Sequence, residues 1–268
     1  RLYPLTVAEL AQKKFTQKEI QQPAQTSKDD YKTLSIMGGF PEPFQKRNKR
    51  FSNRWITLRR QQLIYEDIRD LSRIQELGQM ELLADILTHQ AGQLVNYSTL
   101  AAKVRVSVDT IRRWMKTLAM FYFCFTIQPW AKNIPRSLLK EPKAFLWDWS
   151  LISDEGARYE NMVAVHLMKA VHFWSDRGLG KYGLYFLRDK EKREVDFLVT
   201  KNDQPWFMTE VKSAGERRLS KNLIYFKEKI ACLHAIQVAF DMSYVDKDCF
   251  SEKRPVIVPA RTFLSQLA

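Results

Sequence analysis

The chain reads as an α+β protein, and three features predict that class. Residues 151–240 carry the patterns helix, three strands, helix, strand in that order. Residues 79–149 carry helical patterns followed by two β-prone runs. Between them, 45% of the 268 residues are apolar, enough to bury one large or two modest cores.

Residues 1–34 look like an edge piece. Tyr3 to Leu10 starts a short helix, and Gln17 to Tyr31 is polar and weakly patterned, which predicts a mobile connector or a marginal helix. Gly38-Gly39-Phe40-Pro41-Glu42-Pro43 is a rigid turn, with glycines for unusual φ and prolines that forbid a helix. From Arg47 to about Arg73 nothing breaks a helix, and Phe51, Trp55, Leu58, Ile64, Ile68 and Leu71 fall at helical intervals. This region is basic. Residues 1–60 hold 13 Lys/Arg against 5 Asp/Glu, a balance of +8 out of +13 for the chain. A polyanion such as nucleic acid fits that excess, and so does a solvated helix face or an acidic neighbouring domain.

Residues 76–150 form the second region. Met80 to His89 is helical. Ser98 is the expected N-cap of a short helix holding Leu100 and Ala101, and Ser107 caps a helix over Thr110–Met120 that buries Ile111, Trp114, Met115 and Leu118. Phe121 to Ile127 and Lys143 to Trp147 are strands joined by a loop with Lys132, Arg136 and Lys140. A helix-turn-helix followed by two strands and a basic loop describes a winged helix. The exposed side of its second helix presents Thr110, Arg112, Arg113, Lys116 and Thr117, residue types that suit phosphate and base-edge contacts. Winged helices also pack against other domains without meeting DNA, so direct binding and protein contact both stand.

Residues 151–268 form the third. Ser153 or Asp154 caps a helix to Phe173. Tyr182–Leu187, Glu194–Thr200 and Trp206–Lys212 are strands, Ser220–Ala231 a helix, Ala235–Phe240 a strand, and Thr262–Leu267 a short helix. The hairpin Glu194–Lys212 matters most. If it is symmetric about Asp203, Asp196 faces Glu210, and alternation puts Lys212 beside Glu210. Two carboxylates and an ammonium on one face make a seat for a divalent cation, or an ion pair.

Cys124, Cys232 and Cys249 are odd in number and widely spaced, which fits a reduced cytoplasmic protein and argues against a cysteine zinc site. His89, His166, His172 and His234 form no HExxH pattern and read as packing or surface residues. The longest apolar run, Ala119–Ile127, is too short to span a bilayer, so no membrane partner is expected. The composition leaves homo-oligomerisation open.

Helix, three-strand meander, helix and strand, with an acid on the first helix, Asp on the second strand and Glu-x-Lys on the third, resemble the PD-(D/E)XK nuclease superfamily. The resemblance implies Glu160, Asp196 and Glu210 as ligands of Mg²⁺ or Mn²⁺, with Lys212 serving the attacking water and the transition state. A longer match runs through Tyr3-Pro4-Leu5-Thr6, Gly38-Gly39-Phe40-Pro41, Glu66 to Leu71, Trp147-Asp148-Trp149, Gly156 to Asn161 and Arg193 to Phe197. It is similar to the C-terminal region of bacterial and archaeal ATPases of the AAA superfamily. This implies that residues 1–75 hold the end of an ATPase module and a basic linker, 76–150 a winged helix, and 151–268 a nuclease-like domain. The chain has no GxxxxGK[ST] loop, so ATP binding falls to a missing N-terminal module, the expected partner of this piece. The missing initial Met also reads as a fragment, with Arg1 as a leftover of that module.

Overall fold

A single seven-stranded sheet of order β2-β1-β3-β4-β5-β6-β7 organises the chain, and helices pack on both faces. The computed structural model describes residues 3–12, 16–71, 74–131, 141–213 and 218–267. The mixed α+β class expected from the sequence holds. Arg1 and the loop with Lys132, Arg136 and Lys140 lie outside the described residues.

The N-terminal region opens with α1 (Val7–Ala11), capped by Thr6, whose hydroxyl accepts from Glu9 N while the Glu9 carboxylate accepts from Thr6 N. Helices α2 (Lys28–Met37), α3 (Pro41–Lys46) and α4 (Lys49–Gln62) follow; α3 corrects the expectation of a helix-free turn, because Pro41 opens the helix at a position where its missing N–H costs no bond. Helix α4 runs on through a π-helical stretch, Leu63–Ile68, and a last turn, Arg69–Leu71. Its apolar register is real only at the far end: Ile64 and Ile68 are buried, whereas Leu58 is 52% exposed. Most of α4 is a solvated basic rod.

The expectation of a mobile connector between Gln17 and Tyr31 needs correcting. This strap is pinned along its length. Trp174 Nε1 donates to Glu19 O, Gln21 N to Gln266 O, Ala24 N to Ser265 Oγ, and the buried Arg261 guanidinium to Thr26 O. Its backbone groups find partners on distant elements, which no local periodicity reveals.

The helical region contains α5 (Leu77–His89), α6 (Tyr97–Val104) and α7 (Val108–Met120). Asn96, rather than Ser98, caps α6 and accepts from Thr99 N; Ser107 caps α7 as expected. Strands β1 (Cys124–Pro129) and β2 (Lys143–Leu146) pair antiparallel, and β1 then pairs parallel with β3 (Tyr182–Arg188). The hairpin therefore belongs to the same sheet as the strands after residue 150. Its two faces serve two cores. Phe125, Ile127 and Phe145 enter the large core, while Cys124, Ala144 and Leu146 enter the core of the helical region.

The 22-residue helix α8 (Glu155–Asp176), capped by Asp154, lies over the large-core face of the sheet. Strands β4 (Glu194–Lys201) and β5 (Gln204–Lys212) form a hairpin, α9 (Lys221–Lys229) covers the opposite face, and β6 (His234–Ala239), β7 (Val256–Pro259) and α10 (Ala260–Ser265) complete the chain. His166 is fully buried as a neutral ring: it bonds Met162 O through Nδ1 and accepts from Val7 N at Nε2, with burial depressing its pKa to about 3. This histidine is a packing residue.

Three short motifs that are distant in sequence meet beneath α2. A Cβ on Gly39 would lie 2.7 Å from Leu5 O, Pro4 Cβ and the Trp149 ring, and one on Gly38, at φ +81°, would lie 2.5 Å from Asp148 Oδ1. Leu5 N donates to Gly39 O, and Trp149 Nε1 to Leu34 O. Both the backbone of Leu5 and the wedged indole resist displacement, so Gly39→Ala should lower unfolding free energy by roughly 2–4 kcal/mol. Urea denaturation measures it, and a loss below about 0.5 kcal/mol would contradict the contact.

Candidate functional site

The carboxyl ends of β1, β3, β5, β6 and β7, the start of β4 and β2, and the first turns of α8 all meet at one edge of the sheet, where open sheets commonly place ligands. Glu160, Asp196, Glu210 and Lys212 are all at this edge, but they do not converge.

The hairpin explains why. Asn202 and Asp203 both have positive φ, a two-residue turn, so the hairpin is centred half a residue before Asp203. A register slip between Val199 and Thr200 restores the symmetric pairing Phe197↔Thr209. On the other side of β4 the register with β3 slips between Tyr185↔Leu198 and Leu187↔Val195, leaving Asp196 and Phe197 both opposite Phe186. This bulge breaks the alternation: Val195 and Leu198 both pack under α9, and Asp196 sits at the break. Its Oδ2 accepts from Val211 N at 2.8 Å, taking an N–H that the bulged strand leaves.

Glu210 and Lys212 share the face of Met208, under α9, and pair with each other at 2.9 Å. Glu210 is 7% exposed, and its Oε2 is buried with no hydrogen-bond partner. Asp196 has its strongest charged neighbours on the other face. Burial and then Glu160 raise its pKa, the Lys143 ammonium and the Val211 N–H oppose, Glu210 adds the smallest share, and the net is a value of about 8.

The residue that sequence reasoning missed is Lys143, the first residue of β2. It is 5% exposed, and its Nζ lies 3.1 Å from Glu160 Oε1 and 2.7 Å from Glu194 Oε1. Arg188 binds the other oxygen of Glu194. Burial works against the ammonium, but Glu160, Asp196 and Glu194 outweigh it and raise its pKa above the usual lysine value. Glu160 is raised by burial, with Lys143 opposing; on Glu194 burial is outweighed by Lys143 and Arg188, and its pKa falls. A lysine opening a buried strand next to Pro142 was the available signal, since buried lysines demand partners. Beside this network a cavity of about 370 Å³ is lined by Leu94, Pro129, Glu141, Phe186, Arg188 and Lys190.

The residues therefore do not fit a three-carboxylate metal seat. An ammonium stands between the acids, and no group of three or more His, Cys, Asp or Glu among the described residues is placed to hold a metal ion. The three cysteines are buried and unpaired, with burial pushing each thiol up to about 12.

A second site lies on α6 and α7. Arg112, Arg113 and Lys116 are exposed along α7, with Lys103 and Arg105 exposed at the end of α6. None of the five makes an ion pair among the described residues, and Asp109 is the acid at the start of that face. The Arg112 guanidinium lies 4.7 Å from the Tyr97 ring centroid, which holds it in place. Thr110 is half-buried, its hydroxyl 2.8 Å from Ser107 Oγ, so it belongs to the cap. No helix among the described residues is long and apolar enough to cross a membrane.

Two family models match, one described as "Domain of unknown function (DUF8612)" over residues 28–154 and one as "Domain of unknown function (DUF4143)" over 155–262. Their boundary falls at the start of α8. Among curated proteins the chain is similar to Uncharacterized protein Mb2031c of Mycobacterium bovis and Uncharacterized protein Rv2008c of Mycobacterium tuberculosis. Each is 24% identical, over 71% of this chain and 44% of the relative, so the chain spans less than half the length of these relatives. No solved structure matches.

A raised folded-state pKa at Asp196 means its contribution to stability is present below the ordinary value of 3.8, declines as pH rises, and is lost above about 8. Asn imitates the protonated carboxyl. Asp196→Asn should therefore match the parent near pH 4 and gain on it steadily as the pH rises to about 8. Melting curves across that range check the sign, and an advantage that shrinks with rising pH refutes the assignment.

Proposed function

We propose that this chain is the nucleic-acid-binding C-terminal part of an ATPase of the AAA superfamily, with a winged helix as its reading surface and a nuclease-like core that no longer cuts. The carrying observation is the α6–α7 face: five exposed cations without an ion pair among the described residues, one of them braced on Tyr97. Cations left without carboxylate partners attract the phosphate backbone at the smallest desolvation cost, and release of condensed counterions drives the association. The exposed Lys49, Arg50, Arg54 and Arg59 of α4 extend the positive surface.

The ATPase part of the reading rests on family context. Domains of the family matched over 155–262 are typically found C-terminal to AAA ATPase domains. Relatives of more than twice the aligned length leave room for such a module.

The strand-end chemistry favours a scaffold over a nuclease. Lys212 is paired with Glu210 on the far face, and the Asp196 carboxyl has its pKa raised by burial. Phosphodiester cleavage needs negative charge concentrated enough to hold a hard cation, and here Lys143 offsets that charge.

Fluorescence anisotropy with labelled duplex DNA tests the reading. Affinity should fall steeply with salt. The triple variant Arg112→Ala, Arg113→Ala, Lys116→Ala should bind roughly tenfold or more weakly and lose about 2–3 units of the log–log salt slope. Unchanged affinity and slope would move the interface off α7. No binding at low salt would leave this surface to a protein partner.

A further inference from the structure

The cavity between α4 and the helical region has an acid in its wall, aromatic rings around it and an arginine at its rim. We infer that this cavity binds a guanine nucleotide: the ring stacks among the aromatic side chains, the Asp148 carboxylate accepts from the N–H edge of the base, and Arg59 meets the phosphate. The inference is independent of the α6–α7 face, with which the cavity shares no residue.

The walls come from separate parts of the chain. Phe40 is the N-cap of α3, Trp55 and Arg59 stand on α4, Phe121 and Tyr122 follow α7, and Asp148 follows β2. The cavity measures about 290 Å³, and small-molecule pockets begin at roughly 300 Å³, so its size suits one ring system. The Phe40 and Trp55 ring centroids lie 5.2 Å apart, and Trp55 Nε1 donates to Glu42 Oε2 at 2.8 Å, which fixes the indole.

Asp148 is the group that calls for a ligand. It is 8% exposed, and Gly38 backs it so closely that a Cβ there would stand 2.5 Å from Oδ1. Oδ1 accepts from Ser150 N and Oγ at 3.0 and 2.6 Å, while Oδ2 accepts no hydrogen bond among the described residues. Burial pushes the carboxyl up to about 6, with Ser150 and Arg59 opposing. A buried acceptor left short of donors is costly, and a carboxylate can take several.

The walls select the donor. Arg59 is exposed, lies 5.0 and 5.6 Å from the Phe40 and Trp55 centroids, and makes no ion pair among the described residues. Its charge disfavours an organic cation as occupant, and the rings disfavour a hydrated metal ion. A flat neutral ring with N–H donors meets both conditions, since bases stack on aromatic side chains and are read along their pairing edge. Guanine sets two N–H donors side by side on that edge. Adenine and cytosine place an acceptor beside the amino group, and uracil and thymine flank their N–H with carbonyls. A guanidinium at the rim is the natural partner of the phosphate.

Isothermal titration calorimetry of the full chain with GMP, AMP and guanosine tests the site. A thymine tract with one guanine, measured against the plain tract, presents the same base on a strand. One GMP per chain should bind, with AMP at least about tenfold weaker. Asp148→Asn should weaken GMP by about tenfold or more through loss of a charged acceptor, and Trp55→Ala should do the same through loss of stacking. Arg59→Ala should weaken GMP and leave guanosine unchanged. Binding of either guanine form that Asp148→Asn weakens supports the pocket. Binding of neither, equal affinity for GMP and AMP, or parent affinity in Asp148→Asn would overturn the inference. If Asp148→Asn does not fold, Trp55→Ala decides, because Trp55 is half-buried and outside the hydrophobic cores: parent affinity for GMP in that variant overturns the site.

Discussion

The side chain of Asn161 closes the joint on which the other contacts depend. It is fully buried, accepts from Leu146 N at 2.8 Å and donates to Leu146 O at 2.6 Å. One amide thus satisfies both backbone groups of the last residue of β2 from the second turn of α8. Leaving those groups unpaired in the core would cost several kcal/mol, far more than the net gain from either bond, so helix and strand keep one relative position. Everything near the strand edge inherits that position. Glu160 precedes Asn161, Lys143 lies three residues before Leu146, and their ion pair follows from the joint. So does the two-sided hairpin, which ties the helical region to the sheet through the parallel pairing of β1 with β3.

With the joint fixed, charge decides what the edge can do. Asp196, Glu160 and Glu194 are partly or wholly withdrawn from water, where a set of like charges is tolerated only with compensation. Two routes are open to a chain: recruit an ion from solution, or supply a cation covalently. A tethered ammonium carries no cost of capture from solution, but it brings one charge, no open coordination position and no water to activate. Asp196 answers by shifting toward its neutral form. That compensation is the physical core of the proposal to read the cluster as a scaffold.

Much of this was legible in the sequence, and the misses share a cause. The order of the strands, the helix that Asp154 caps and the Ser107 cap follow from local patterns, because burial periodicity and capping are local rules, while the first strand starts three residues later than its β-prone run. The symmetric register about Asp203 was also legible as far as Phe197↔Thr209, although it is reached by two departures, a turn half a residue early and a slip that cancels it. What stayed hidden is non-local. The bulge at Asp196 reflects packing of β4 against two neighbours. Lys143 looked like an ordinary strand-opening lysine until α8 was laid over it. The strap from Thr16 to Thr26 lacks periodicity because its partners, Trp174, Ser265, Gln266 and Arg261, lie more than 150 residues away. Asn96 outcompeted Ser98 because the cap is set by where the chain leaves Leu94 and Val95 beside β2, not by residue preference.

The same accounting separates the two candidate sites. At the sheet edge the cations nearest the acids are committed: Lys143 to two glutamates, Arg188 to Glu194, Arg193 to Asp189 and Glu191, Lys212 to Glu210. A phosphate arriving there would have to displace a carboxylate already within hydrogen-bonding distance, and it would meet the remaining acids at close range. On α6 and α7 the opposite holds. Lys103, Arg105, Arg112, Arg113 and Lys116 face solvent with no carboxylate partner among the described residues. For a polyanion the difference is one of sign, since the first surface repels once its pairs are broken and the second attracts at once. A chain that kept a nuclease-like edge for cutting would need both surfaces to draw the same strand. Under the proposed reading the α6–α7 face draws the polyanion and the sheet edge does not.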